Sequence, residues 1–318
     1  MCIRDSKSPE AQRLRLLIAN RRLLKRKLID IENHVLYRGT VFDVTKLAKD
    51  PSTTTSVNQA FVDAVSVGDI VAVNGRPAKG LWQTTVYAMP YRAAPQPGQP
   101  IADFDLGGTL HSTFHVYLPD GTYVGTISST GATPPGGHVV MGGLGAFLGV
   151  IGEHRLRTIV PNGQASTAED PANRRNRPGG KAQAIFYLYP KFRPTVQTTP
   201  AGPAIYHADF SPVTTENPAR RGELLIVRAM GLGLVKPDLA PSGTVRFSGE
   251  PVQEVNSPVD VTFNGKEGPA VNKVGWPGET DVYRVDFRVP SDAALGTATL
   301  NLTAAWIPGP AVSIPIGQ

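Results

Sequence analysis

The stretch VVMGGLGAFLGVIGEHRL, residues 139–156, constrains the fold more than any other part of the chain. Five glycines fall in the eleven positions from Gly142 to Gly152, set among apolar residues and closed by Glu153, His154 and Arg155. Such a stretch could cradle a phosphate, cross a membrane or bend a strand. Phosphate binding fails on three counts. No Gly-Lys-Ser/Thr follows Gly149 or Gly152. Gly143, Gly145 and Gly149 are spaced G-x-G-x-x-x-G rather than G-x-G-x-x-G. The residues that follow, HRLRTIV, look like a strand, so no helix N-terminus would meet the anion. The uncharged run from Val139 to Ile151 is 13 residues, short of the roughly 18–20 that span a bilayer. Glycines in a strand pattern mark bulges, bends or close backbone approach. The expectation is a strand turning a barrel corner, with Phe147 and Leu148 supplying the packing that glycines lack.

The rest of the chain agrees with a β protein. The 33 glycines and 29 prolines favour short strands joined by turns. TVFDV, DIVAV, LWQTTVYAM, TLHSTFHVYL, TYVGTIS, HRLRTIV and AQAIFYLY are rich in β-branched and aromatic residues. In HVYLPDGTYVGTI, Pro119-Asp120-Gly121 supplies hairpin chemistry. No helix-length periodic segment separates these strands, which argues against parallel βαβ units and for an antiparallel barrel or sandwich. Residues 9–36, by contrast, read as a helix. Leu14, Leu17, Leu24, Leu28, Ile31 and Val35 keep a and d spacing, interrupted by Arg21. Three roles stay open to that helix: a short coiled coil joining subunits, a basic helix on an anionic membrane, or a helix packed on its own domain.

The net charge of +6 invites a nucleic-acid partner, but its distribution excludes one. Nine Lys/Arg against three acids lie in residues 1–30, and the other 288 residues are neutral. The single cysteine, Cys2, rules out an intramolecular disulfide and a cysteine-ligated metal. MCIRDS, residues 1–6, resembles a translated sequencing adapter, so a missing signal peptide says nothing about export.

GGLGAFLGVIGE resembles the glycine-rich segment of the allene oxide cyclase and dirigent barrel family, as do the acidic strand Asp103-Phe104-Asp105 and the Pro-Asp-Gly-Thr hairpin. The resemblance covers about residues 36–192. It implies an eight-stranded antiparallel barrel, commonly trimeric, with a largely apolar cavity, and Gly142, Gly143, Gly145, Phe147, Gly149 and Gly152 as its structural motif. GELLIVRAMGLG, with Gly231 and Gly233, and the strand from Tyr283 to Pro290 are similar to the Solibacter uncharacterised C-terminal domain family over about residues 218–318. That resemblance implies a cell-surface setting and no activity. The expected organisation is therefore a basic helix at 1–35, a barrel at 36–193, a proline-rich linker or strap at 194–221, and an immunoglobulin-like β-sandwich at 222–318.

Candidate chemistry is sparse. Alternation on TLHSTFHVYL puts His111, Thr113, His115 and Tyr117 on one face and Phe114 and Val116 on the other. His111 and His115 are about 13 Å apart at roughly 3.3 Å per residue, too far to share an ion bound at about 2.1 Å. No metal site and no cofactor are expected. If the polar face turned inward, His111, His115 and Tyr117 would line a ligand cavity with Asp103 or Asp105 nearby; if outward, they are surface. No G-x-S-x-G elbow occurs. His154 reads as part of a strand-end charge cluster with Glu153 and Arg155, and the loop EDPANRRNRPGGK as solvated. Two functions follow as expectations. One is a non-enzymatic, homo-oligomeric, extracellular or surface-associated protein, with an open fibre as a variant, in which deleting residues 1–35 should lower the oligomeric state. The other is a barrel that binds or converts a small apolar ligand, an oxidised lipid or a phenolic.

Overall fold

A computed structural model describes residues 25–38, 64–87, 108–133, 137–166, 178–238 and 246–318. Asp103, Asp105, the TVFDV segment, residues 1–24 and most of the EDPANRRNRPGGK loop lie outside the described residues. Among the described residues every regular element is a strand. They divide into two compact units. The first holds residues up to Val116, Ile127–Gly142 and Val150–Pro190; the second holds Tyr117–Thr126, Gly143–Gly149 and Lys191–Gln318.

The first sheet is a closed antiparallel barrel of eight strands: β1 (Lys25–Arg38), β2 (Ala64–Val73), β3 (Lys79–Tyr87), β4 (Gly108–Tyr117), β5 (Tyr123–Thr133), β6 (His138–Gly145), β7 (Ile151–Val160) and β8 (Gly180–Tyr189). Each strand pairs with the next in sequence, except that β1 sits between β8 and β2 and closes the ring. Closure removes the exposed edges that an open sheet would offer to other chains. Alternation fixes the inside. On β8, Ala182, Ala184, Phe186 and Leu188 are buried and Tyr187 and Tyr189 exposed, and on β4 Ser112, Phe114 and Val116 are buried.

The helix expected over residues 9–36 is corrected for its C-terminal part, because Lys25–Arg38 is a barrel strand. Leu28, Ile31 and Val35 do keep helical spacing. The same stretch also carries a period of two, and Ile29 and Ile31, both about 1% exposed, point into the barrel. Pairing on both sides, Ile29 with Ala184 and with Val73, satisfies the backbone in the sheet, and tertiary context overrides a weak local preference. Deleting residues 1–35 would therefore remove most of a barrel strand rather than test a separate assembly helix.

The glycine-rich stretch is also different in detail. It forms two strands and the turn between them, where one bent strand was expected: β6 ends at Gly145, residues 146–149 turn, and β7 begins at Ile151. Gly145 (φ +63°) and Gly149 (φ +71°) adopt the left-handed backbone that the turn requires. Phe147 is 2% exposed, and a Cβ on Gly125 or Gly143 would collide with it at under 3 Å. These two glycines form the seat of the Phe147 ring. Leu148 is exposed.

The second unit is built on β9 (Leu224–Met230), β10 (Val259–Phe263), β11 (Lys266–Gly275), β12 (Val282–Arg288), β13 (Gly296–Ala304) and β14 (Ile307–Ile316). Its sheet path runs β9-β12-β11-β10-β13-β14. The first half of β11 pairs with β10 and its second half with β12, with a register shift between Ala270 and Asn272. A bulge of this kind lets one strand serve two layers. One core takes Leu225, Val227, Val285 and Phe287 from one side and Val261, Leu300, Leu302 and Ile314 from the other.

The proline-rich segment runs along β9, with Thr195 opposite Met230 and Ile205 opposite Val227. His207 pins this strap. Its Nδ1 lies 2.6 Å from Glu223 Oε1 and its Nε2 3.2 Å from the Asn217 carbonyl. A carboxylate thus faces one ring nitrogen and a backbone carbonyl the other, which fixes the ring at both ends. His207→Ala is expected to cost about 2 kcal/mol, since it strips a largely buried carboxylate of a charge-assisted bond; a denaturant midpoint shared with the wild type would contradict this.

Candidate functional site

The barrel interior holds a polar row that the fold brings together from distant segments. In the β6–β7–β8 register, His138 lies opposite His154 and His154 opposite Phe186, so the three form one inward row. The rings of His138 and His154 are 4.3 Å apart, and His154 stacks on Phe186 at 4.8 Å and 19°. Phe114, from the far side of the ring of strands, meets both His154 (5.1 Å) and Phe186 (4.9 Å) edge-on. Trp82 packs against Phe114 at 6.4 Å. A second polar row lies on β2, β3 and β4. Ser66 is opposite Thr84, and the Thr84 and Ser112 hydroxyls are 2.6 Å apart.

His154 is wholly buried, and its Nδ1 lies 3.1 Å from Ser129 Oγ on β5. Burial, with His138 as a lesser cause, pushes its pKa from 6.5 down to about 3. Burial also lowers that of His138. A serine beside a histidine is the start of a nucleophilic pair. Here the base is far too weak, because an effective general base titrates near the working pH. Its Nε2, the atom a third orienting group would hold, has no hydrogen-bond partner. Ser129, 1% exposed, has no open approach for a substrate. The row is therefore a neutral, packed element of the core. Among the described residues no group of three His, Cys, Asp or Glu is placed to hold a metal ion.

His111, His115 and Tyr117 sit on the face of β4 opposite Phe114, turned away from this row. His111 is exposed and the other two half-buried. Tyr117 instead stacks obliquely on Tyr123 at 5.4 Å. The structure thus takes the polar-outward arrangement of that strand. His154, read as a strand-end charge, is the residue that sequence reasoning missed. Its signal was alternation: in Glu153-His154-Arg155, the middle residue must face opposite to its charged neighbours.

The outer face of β6, β7 and β8 is the other unusual surface. Val139, Glu153 and Tyr187 form one outward row and Ile151 and Tyr189 the next, with Met141 on the same face of β6 two residues past Val139, all exposed; Arg155 and Ile185 follow. Single exposed apolar side chains are ordinary, whereas a contiguous sheet face of them marks an interaction surface. No helix among the described residues is long and apolar enough to cross a membrane. No protein-family model, curated protein or solved structure matches the chain.

Proposed function

We propose that this chain is a non-enzymatic binding protein that self-associates through the outer face of β6–β8. The exposed apolar side chains Met141, Ile151 and Tyr189 on that face carry the proposal. They give a sheet face five exposed large apolar side chains together with Val139 and Tyr187, to which β7 adds one acid and one base side by side. A two-fold copy of this face, with its β7 antiparallel, brings Glu153 of one subunit to Arg155 of the other, so that the surface is self-complementary. The packed barrel interior and its weakly basic, inaccessible Ser129–His154 pair support a scaffold rather than an enzyme. The likeness to allene oxide cyclase and dirigent barrels, the immunoglobulin-like reading of the second unit and an extracellular or surface location belong to the same proposal; they rest on the glycine motif and on the Gly231–Gly233 and Tyr283–Pro290 segments.

The test is the solution mass of the whole chain, by analytical ultracentrifugation, with Met141→Arg/Ile151→Lys as the variant. The expected result is a discrete homo-oligomer for the wild type and a folded monomer for the variant, with the circular dichroism spectrum of the wild type retained because both side chains are exposed in the single chain. A monomeric wild type, or a variant of unchanged mass, would reject this face as the interface.

A further inference from the structure

The second unit contains a cleft of about 440 Å³, within the range of small-molecule sites. Its floor is apolar and buried, formed by Leu232, Ala305 and Ile307. One wall carries the Phe247 and Tyr283 rings, 5.1 Å apart. At the mouth stand Leu148, Phe192 and Leu234, each more than 40% exposed. Three of the chain's exposed large apolar side chains therefore border one concavity, an arrangement that costs solvation unless something fills it.

The polar groups of the cleft sort into those already occupied and those still able to bind. The Gln253 amide is used at both ends: Oε1 accepts from the Ser248 N–H and Nε2 donates to the Pro237 carbonyl. The Tyr283 hydroxyl donates to the Gly233 carbonyl at 2.6 Å. Burial, with the Asp281 charge beside it, raises its pKa and keeps it a neutral phenol. Asp281 itself is exposed and accepts a long 3.3 Å bond from the Gly231 N–H, which leaves most of a carboxylate's acceptor capacity. Asp238 and Arg246 are the other charged groups of the lining, and Asp238 already has a partner. Lys191 stands over the Phe192 ring, 5.5 Å from its centroid. Asp281 (φ +54°) and Ala305 (φ +46°) hold left-handed backbone where glycine or asparagine is the ordinary choice.

We infer that this cleft binds a compact organic cation, an ammonium group on an apolar body. The body fills the space between Phe192, Leu234 and Phe247, and the head meets the Asp281 carboxylate beside the aromatic faces. Aromatic rings and a carboxylate together favour a cation over an isosteric neutral or anionic head. The inference is independent of self-association through the barrel face.

The experiment compares three probes with one body and different heads: 3-phenylpropylamine, 3-phenylpropanol and 3-phenylpropionate. Each is titrated into the full chain by calorimetry and ligand-observed NMR. The expected result is saturable binding of the amine, about tenfold tighter than the alcohol, with the carboxylate weakest. Asp281→Asn should abolish the preference for the amine and leave the alcohol unchanged; asparagine accepts the left-handed backbone as readily as aspartate. Phe192→Ala, at an exposed position, should weaken amine and alcohol alike. Absence of saturable amine binding, equal binding of the carboxylate, or an amine affinity indifferent to Asp281→Asn would each overturn the inference. The comparison of heads on the unmodified chain decides it without any variant.

Discussion

Acidification from pH 7 to pH 4 is expected to take about 3 kcal/mol from the stability of the barrel through His154 alone. In the unfolded chain this imidazole titrates at its ordinary 6.5, whereas in the folded barrel burial among Phe114, Phe186 and His138 holds it near 3. Between those values the unfolded state binds a proton that the folded state refuses. The stabilisation is therefore complete above pH 6.5 and is lost progressively as the pH falls toward 3. The slope is about 1.4 kcal/mol per pH unit in the middle of that window. His138 acts in the same direction. Hydrogen exchange of the slowest amides in β4 and β8 at pH 7, 5.5 and 4 would read this for the barrel by itself. His154→Leu should cost about 1 kcal/mol at pH 7, where it strands the Ser129 hydroxyl. It should exceed the wild type in stability at pH 4, because carboxylate titrations are common to both proteins. Parallel pH profiles for the two would show that His154 is not the linked group.

The second large effect concerns a single hydrogen. Gly152 lies on β7 opposite Leu188, and a Cβ added there would sit 2.0 Å from the Tyr187 carbonyl oxygen and 3.0 Å from its carbon. Its φ of +155° is a conformation essentially confined to glycine. The obstacle is backbone, held by the β7–β8 ladder, and cannot step aside as a flexible side chain would. Gly152→Ala is expected to cost about 3 kcal/mol or more and to lower soluble yield. Gly137→Ala is the matched control, since a Cβ there meets nothing within 4 Å; it should change stability by less than about 0.5 kcal/mol. A Gly152→Ala protein melting with the wild type would mean that β7 and β8 separate more easily than their register suggests.

Much of the barrel was legible because strand alternation and turn chemistry act locally. Ser112, Phe114 and Val116 follow the period of two. The Pro119-Asp120-Gly121 turn forms as expected, with Asp120 accepting from the Thr122 N–H and Gly121 at φ +90°. The first strand was misread because leucines at helical spacing and isoleucines at strand spacing coexist in KLIDIENHVL. The choice between them was made by partners distant in sequence, on β2 and β8. His154 was obscured by its charged neighbours, which face outward from the same strand. The cleft was illegible for a different reason. Its lining comes from residues as far apart as Gly145 and Ile307, and no local pattern marks residues that meet only through the fold.

The position of β1 between β2 and β8 has a consequence for the order of events during synthesis. The Asp30 carboxylate accepts from the Gln183 side chain across 153 residues of chain, so the last seam of the ring joins its earliest strand to its latest. A ribosome must deliver residues through Tyr189 before that seam can form. Until then β1 can pair along β2 and, over Leu36–Arg38, with residues 164–166, while the rest of its other edge stays open alongside the unsealed, apolar inner surface. A seam of such sequence separation belongs to the class of contacts whose closure slows folding. It also makes the nascent chain, rather than the finished protein, the state most exposed to mispairing with its neighbours.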